Sequence, residues 1–193
     1  MDKFIQSTVV GPMLQDADLD DWWQSQPVAV PFFDNQPVSV VLSGVLSATA
    51  ADLADMDECL THFLALGAAD RLALSDLVWA NYQEVVEAVG EDLDIRIDTP
   101  ADVWAHVHPR EIHISWRDRR DEDIYLSVEC ACDWEIEHGL QLVFRRGRML
   151  TRVSQCDGQL TEADANDWPD EKDALLSAYN ATFTSPKNQN VLE

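Results

Sequence analysis

Positive charge is scarce in this chain. Thirteen lysines and arginines stand against 36 aspartates and glutamates, a formal net charge of −23. Nucleic acid and anionic membranes both call for a positive footprint, so the balance disfavours both as partners. Long apolar runs are missing as well. No stretch reaches the roughly 18 consecutive apolar residues of a membrane-spanning helix. Met1–Val10 has no basic segment leading into an apolar run of the kind that directs export. A cytoplasmic protein is the expectation. Cysteine is confined to Cys59, Cys130, Cys132 and Cys156, with no Cys-x-x-Cys pair, and without an export signal reduced thiols are the default. Glycine is also sparse, and none of it forms a phosphate-cradling loop or a G-x-S-x-G nucleophile elbow.

What is present is a globular pattern. At 193 residues and 46% hydrophobic content, the chain reads as a single α+β domain over residues 1–184, followed by a flexible tail at 185–193. Phe4–Val10 reads as a short strand broken at Gly11-Pro12. Val28–Phe33 and Val38–Leu42, joined by Asp34-Asn35-Gln36-Pro37, read as a hairpin whose first strand is demoted by Pro31. Residues 47–66 carry Leu53, Met56, Leu60, Phe63 and Leu64 at helical spacing, with Ser47 or Thr49 as cap. A second helix is expected over Ala69–Val89, stopped by Gly90, and the two together read as a helical hairpin. Thr99-Pro100 opens a short helix that ends before His108-Pro109. Ile112–Arg117, Ile124–Trp134, Leu140–Phe144 and Met149–Val153 alternate apolar and polar residues and read as an antiparallel meander. A terminal helix is expected over Pro169–Asn180. The fold expected is therefore an antiparallel sheet, an N-terminal hairpin plus a C-terminal meander, packed against a helical hairpin.

Charge is unevenly spread. Residues 1–100 hold 18 acids against Lys3, Arg71 and Arg96, a net −15. Residues 101–156 hold 10 acids and eight arginines, a net −2. The acidic end includes Asp16, Asp18, Asp20 and Asp21, followed directly by Trp22 and Trp23. The Asp-x-Asp-x-Asp opening is that of a calcium loop, but the sixth position is Asp21 rather than Gly and the twelfth is Pro27 rather than Glu, so a solvated acidic loop is the preferred reading. Adjacent tryptophans on an extended chain cannot both face inward. One of them is a candidate anchor for a partner, with the four aspartates beside it.

The densest cluster of unusual residues is the corner Cys130–Gly139. Cys130, Cys132 and Trp134 share one strand face. Two readings stand. The thiols are a small buried pair beside a buried indole, or they are metal ligands completed by Cys156 or His138. The first is preferred, and no metal or cofactor is expected. Glu129, Asp133, Glu135 and Glu137 are expected to pair across strands with Arg145, Arg146, Arg148 and Arg152 rather than to serve acid–base chemistry. Glu137-His138-Gly139 is expected to build the turn. His106, His108 and His113 are read as surface or interface histidines, with a metal cluster as the alternative.

The segment Cys132-Asp-Trp-Glu-Ile-Glu-His-Gly-Leu140, followed by an apolar strand, Gly147 and Val153, resembles the C-terminal signature of an uncharacterised bacterial domain family. Its members carry Cys-x-Trp-x-x-Glu-x-Gly-Leu at a strand-to-turn corner. Asp21-Trp-Trp23 ahead of Val28–Phe33, then a helical pair and Trp104, is similar to the rest of that family's layout. The resemblance covers most of residues 4–160. It implies an accessory or immunity-type role and carries over no catalytic residue. The functional expectation is a non-enzymatic acidic protein that binds a basic protein partner. The rivals are a small metal-dependent hydrolase built on the Cys130–His138 corner and, further off, an acidic mimic of nucleic acid.

Overall fold

The computed structural model describes residues 3–90, 93, 95–118 and 120–183. The expected tail at 185–193 lies outside them. Alternation sets the sheet. In Ile124–Cys132 (β7), Ile124, Leu126, Val128, Cys130 and Cys132 are all buried among the main core, as a two-residue period requires. β7 pairs with Val107–Trp116 (β6) and Glu135–Arg145 (β8), and β8 pairs with Met149–Ser154 (β9), every pair antiparallel. This is the expected meander, with β6 starting at Val107 rather than Ile112. Pro109 is accommodated because the register shifts between Pro109 and Glu111, at a bulge where a missing N–H costs no ladder bond.

The N-terminal half supplies Phe4–Ser7 (β1), Gly11–Gln15 (β2), Trp23–Ser25 (β3), Val28–Val30 (β4) and Gln36–Leu42 (β5). Gly11-Pro12 does not break a strand. Gly11 takes a φ of 80° and opens β2, which returns along β1 as a hairpin. The β4–β5 hairpin forms as expected, turning through Asp34 and Asn35 at φ 55° and 63°, a conformation these two residue types tolerate. Pro31 ends β4 early and starts a 3-10 turn, Pro31–Phe33, that buries both phenylalanines.

The described residues form one sheet of nine strands in the order β1-β2-β3-β5-β6-β7-β8-β9, with β4 also on β5. It is mostly antiparallel. The exception is β5 beside β6, which run parallel and join the two halves. A parallel neighbour requires a long crossover, and this one carries Ala50–Leu64 (α1), Ala68–Ala73 (α2), Ser75–Val89 (α3) and a 3-10 helix, Pro100–His106. Thr49 caps α1 in a capping box with Asp52, and α1 buries Met56, Cys59, Leu60 and Phe63. The expected second helix divides at Leu74 into α2 and α3. Arg71 of α2 donates to the Phe32 carbonyl and to Asp34, while Ser75 of α3 accepts from Trp104 Nε1 at 2.9 Å. The two pieces are thus held to different elements. α1 packs on β7, β1 and the Pro31–Phe33 turn, and α3 packs on Pro100–His106 and β9. The simple helical hairpin is therefore not the arrangement found. Phe32, Phe63 and Phe144 meet with ring centroids 5.2–5.8 Å apart at the centre of this core.

The other face of the sheet is only half covered. One row of cross-strand partners crosses it: Phe4, Leu14, Gln24, Val41, His113, Ser127, Val143, Arg152. At the far end Val143 and Arg152 are 0% and 5% exposed, beneath a segment holding Glu162–Ala165 (α4), a 3-10 turn Asp170–Lys172 and Ala174–Phe183 (α5). At the near end Phe4 and Leu14 are 61% and 47% exposed. No helix among the described residues is long and apolar enough to cross a membrane.

Candidate functional site

The corner is structural in its details. Cys130 and Cys132 are buried, their thiols turned toward the carbonyls of Val128 and Glu135. Burial pushes the Cys130 thiol well up and lifts Cys132 to about 12. It also lifts Cys156 to about 11 and Cys59 to about 12. All four are protonated at neutral pH, and a thiol is neither nucleophile nor metal ligand until it loses its proton. β7 ends at Cys132, so Trp134 sits in the turn, not on the strand as expected. It is still buried, donating to Asn81 Oδ1 at 3.1 Å and lying edge-on to Tyr82, which ties the corner to α3. The turn itself is Asp133-Trp134, while Glu137, His138 and Gly139, expected to build it, lie within β8 where its register against β7 shifts, and there Glu135 accepts from the backbone N–H groups of Glu137 and His138. Gly139 adopts φ +70°, and a Cβ there would stand 2.4 Å from the Cys130 carbonyl oxygen. Only glycine closes the corner this tightly.

The corner's acids meet histidines, not the arginines expected. Asp133 takes His106 Nδ1 at 2.9 Å and His108 Nε2 at 3.2 Å. These bonds, the one from His106 foremost, hold its carboxyl below the usual range. His113 lies 3.0 Å from Glu111 and 3.7 Å from Glu129, with Trp22 edge-on at 5.5 Å. The arginines are drawn elsewhere. Arg145 and Arg146 hold Asp123, Arg152 holds Asp157 and Glu162, and Arg148 reaches Glu58. Of those acids Asp123 and Asp157 lie in loops at strand ends, Glu162 opens α4 and Glu58 lies on α1. The three histidines therefore divide into a pair and a singleton. Among the described residues no group of three or more His, Cys, Asp or Glu is arranged to hold a metal ion.

The acidic loop between β2 and β3 is ordered by its own first residue. Asp16 Oδ1 accepts from the N–H groups of Asp18 and Leu19, an Asx turn. Asp16, Asp18 and Asp20 are exposed and Asp21 is half-buried. Trp23 faces the core at 4% exposure and donates to the Val45 carbonyl. Trp22 takes the opposite face, half-buried against His113. Neither indole is the bare anchor anticipated. The exposed apolar side chains at this end are Phe4, Leu14, Leu19 and Leu46, which sequence reading passed over. Their signal was present in Phe4 and Leu14, which sit at positions of opposite parity to the half-buried Ile5 and the buried Met13.

Sequence reading also missed the densest ionic cluster. Arg117, 3% exposed, donates to Asp121, Asp164, Asp170 and Thr161. Arg120 reaches Asp164 and Asp170 as well, and Tyr125 donates its hydroxyl to Asp121. This cluster fastens the C-terminal segment to the sheet.

Residues 9–160 match the model of a family described as a domain of unknown function, DUF6985. The chain belongs to that family. The DUF6985 match holds β2 to β9 and the corner, and stops short of β1, α4 and α5. No curated protein and no solved structure matches the chain.

Proposed function

We propose that this DUF6985 protein is a non-enzymatic, cytoplasmic bacterial protein that binds and neutralises a basic protein partner, as an immunity protein does. The observation that carries the reading is the segregation of charge. Arg117, Arg145 and Arg152 are turned inward onto Asp121, Asp123, Asp157, Asp164 and Asp170. The acids of residues 1–100 are left with few cations, and Asp16, Asp18 and Asp20 stand exposed. Such a field accelerates encounter with a positive surface and sets a salt-sensitive on-rate. Among the described residues no three His, Cys, Asp or Glu stand together to hold one metal ion, which weighs against a metal-dependent hydrolase built on the Cys130–His138 corner.

The test is capture from a lysate of the native host at low and at high salt, followed by coexpression of the captured protein with and without this one. A basic protein held at low salt, released at high salt, and toxic unless coexpressed is the result expected. Retention of no basic protein at low salt, or retention indifferent to salt, overturns the reading.

A further inference from the structure

The sheet has two edges, and they are treated differently. β9 lies under α3 and α5. β1 ends the strand order, and among the described residues no strand pairs with its outer side. An open edge offers a row of unpaired backbone donors and acceptors to any extended chain, and proteins commonly blunt such edges. Here the edge is short, but it carries an exposed Phe4 beside an exposed Leu14, its cross-strand partner.

Next to it lies a groove of about 660 Å³, lined by Phe4, Ile5, Trp23, Leu46 and Ala48, with Lys3 as its one cation. Leu46 is 67% exposed. The acidic loop borders this groove by two backbone bonds. Gln15 N–H donates to the Lys3 carbonyl at 3.1 Å, so the loop starts at the Phe4 end of β1. Val45 N–H donates to the Asp21 carbonyl at 3.1 Å, so the loop ends beside Leu46. The loop that carries Asp16, Asp18, Asp20 and Asp21 is therefore anchored at both ends beside residues that line an apolar groove at an open strand edge.

Resting on the basic-partner reading above, we propose that β1 and this groove receive an extended, lysine- or arginine-bearing segment of that partner as an added strand. An apolar side chain of the segment seats between Phe4 and Leu46, and its cations face the four aspartates. Main-chain bonds along β1 supply affinity and the alternate side chains supply selectivity. Charge complementarity identifies the occupant. A second copy would bring one acidic loop onto another in a chain already at −23, and that repulsion opposes edge-to-edge pairing.

Two peptides of equal charge test this against the full-length protein: alternating Lys-Val and alternating Lys-Gly, each about ten residues, long enough to span an edge strand. Titration into ¹⁵N-labelled protein at low salt is expected to show Lys-Val binding about tenfold tighter, the worth of one seated apolar side chain. Amide shifts are expected at residues 3–7, 14–24 and 45–48, with hydrogen-exchange protection gained along β1. In Phe4→Ser/Leu14→Ser the two peptides are expected to bind alike. Both substituted sites are exposed, and the wild-type shift map decides the matter even if that variant folds poorly. Equal affinities for the wild type, or shifts centred on α1 and α3, overturn the docking site while leaving the basic-partner reading in place. Failure of both peptides to bind at low salt overturns both readings.

Discussion

The two halves of the sheet use the same residue type in opposite ways. From β6 onward, aspartates serve as fasteners. Asp121, Asp164 and Asp170 converge on the buried Arg117, and Asp157 is gripped by Arg152 through two of its nitrogens. These bonds lay α4 and α5 across the sheet and bury Val143, Thr151 and Leu176. Around β1 and β2, Asp16, Asp18 and Asp20 stand in solvent, and the same sheet face leaves Phe4 and Leu14 exposed. Carboxylates set against arginine at one end build a second layer. The exposed carboxylates of Asp16, Asp18 and Asp20 at the other end leave a surface. The comparison separates what holds the molecule together from what it presents.

Glycine substitutions give the sharpest contrast. Gly147 and Gly44 both adopt positive φ, 68° and 77°. At Gly147 a Cβ would lie 2.0 Å from the Cys59 carbonyl oxygen, against the backbone of α1. At Gly44 nothing lies within 4 Å. Gly147→Ala must push the β8–β9 turn off the helix and is expected to cost about 4 kcal/mol or more, in the range reserved for severe single substitutions. Gly44→Ala carries only the left-handed backbone penalty, about 1 kcal/mol. Urea denaturation of the two variants measures the gap, and similar losses would remove the distinction between a packed seam and an open turn.

Arg117→Leu comes next. Removing one partner of a buried ion pair costs about 3–5 kcal/mol. The lower end, about 3 kcal/mol, is expected here because Arg120 still reaches Asp164 and Asp170. The loss should appear as release of the C-terminal segment before the sheet, read as hydrogen exchange of 160–178 outpacing that of β7. Global unfolding with no early release would show that the segment is not a separate layer.

Acid should act on the same fasteners. Hydrogen bonds from Arg117 hold the Asp170 carboxyl below its usual range. For Asp157, burial pulls upward but the bonds from Arg152 prevail and the net shift is again down. A carboxyl depressed in the folded state stabilises above its unfolded value, about 3.9, and that contribution disappears as pH falls through the folded value. Stability is therefore expected to hold down to about pH 5 and to decline below it, with a shallower decline in Arg117→Leu. Urea midpoints between neutral pH and pH 3 test this, and an identical acid slope in the variant would detach Asp170 from the effect.

How much of this was readable in advance depended on range. Local signals were sound. The two-residue alternation of β7, a cap at Thr49 (one of the two candidates), and the stop at Gly90 are decided by neighbours a few positions apart. What depended on distant partners was not readable. Nothing in Val38–Leu42 or Ile112–Trp116 marks them as parallel neighbours, because direction is set by a crossover of helices. Arg117 finds Asp164 and Asp170 far along the chain, and no local pattern links the three. The alternation rule established that one of Trp22 and Trp23 faces inward. Only the register Trp23 to Leu42 says which. The proposed docking surface draws on charge that is legible in the sequence and on Phe4 and Leu14, which look like any strand residues until their side of the sheet is seen to be exposed.

The smallest effect expected is the one that most sharpens the comparison. Asp18→Asn with Asp20→Asn removes two charges from the exposed loop while leaving Asp16 to hold the Asx turn through its bonds to the Asp18 and Leu19 N–H groups. Backbone amides make those bonds, so neither substitution disturbs them. Exposed sites away from packing usually shift stability by no more than about 0.5 kcal/mol in either direction, and here relief of like-charge repulsion pushes toward gain. The double variant is therefore expected to unfold at the wild-type urea concentration or slightly above it, while its affinity for the alternating Lys-Val peptide falls and loses part of its salt dependence. A destabilised double variant would mean that the N-terminal acids are fasteners too, and the two halves would differ only in how thoroughly they are covered.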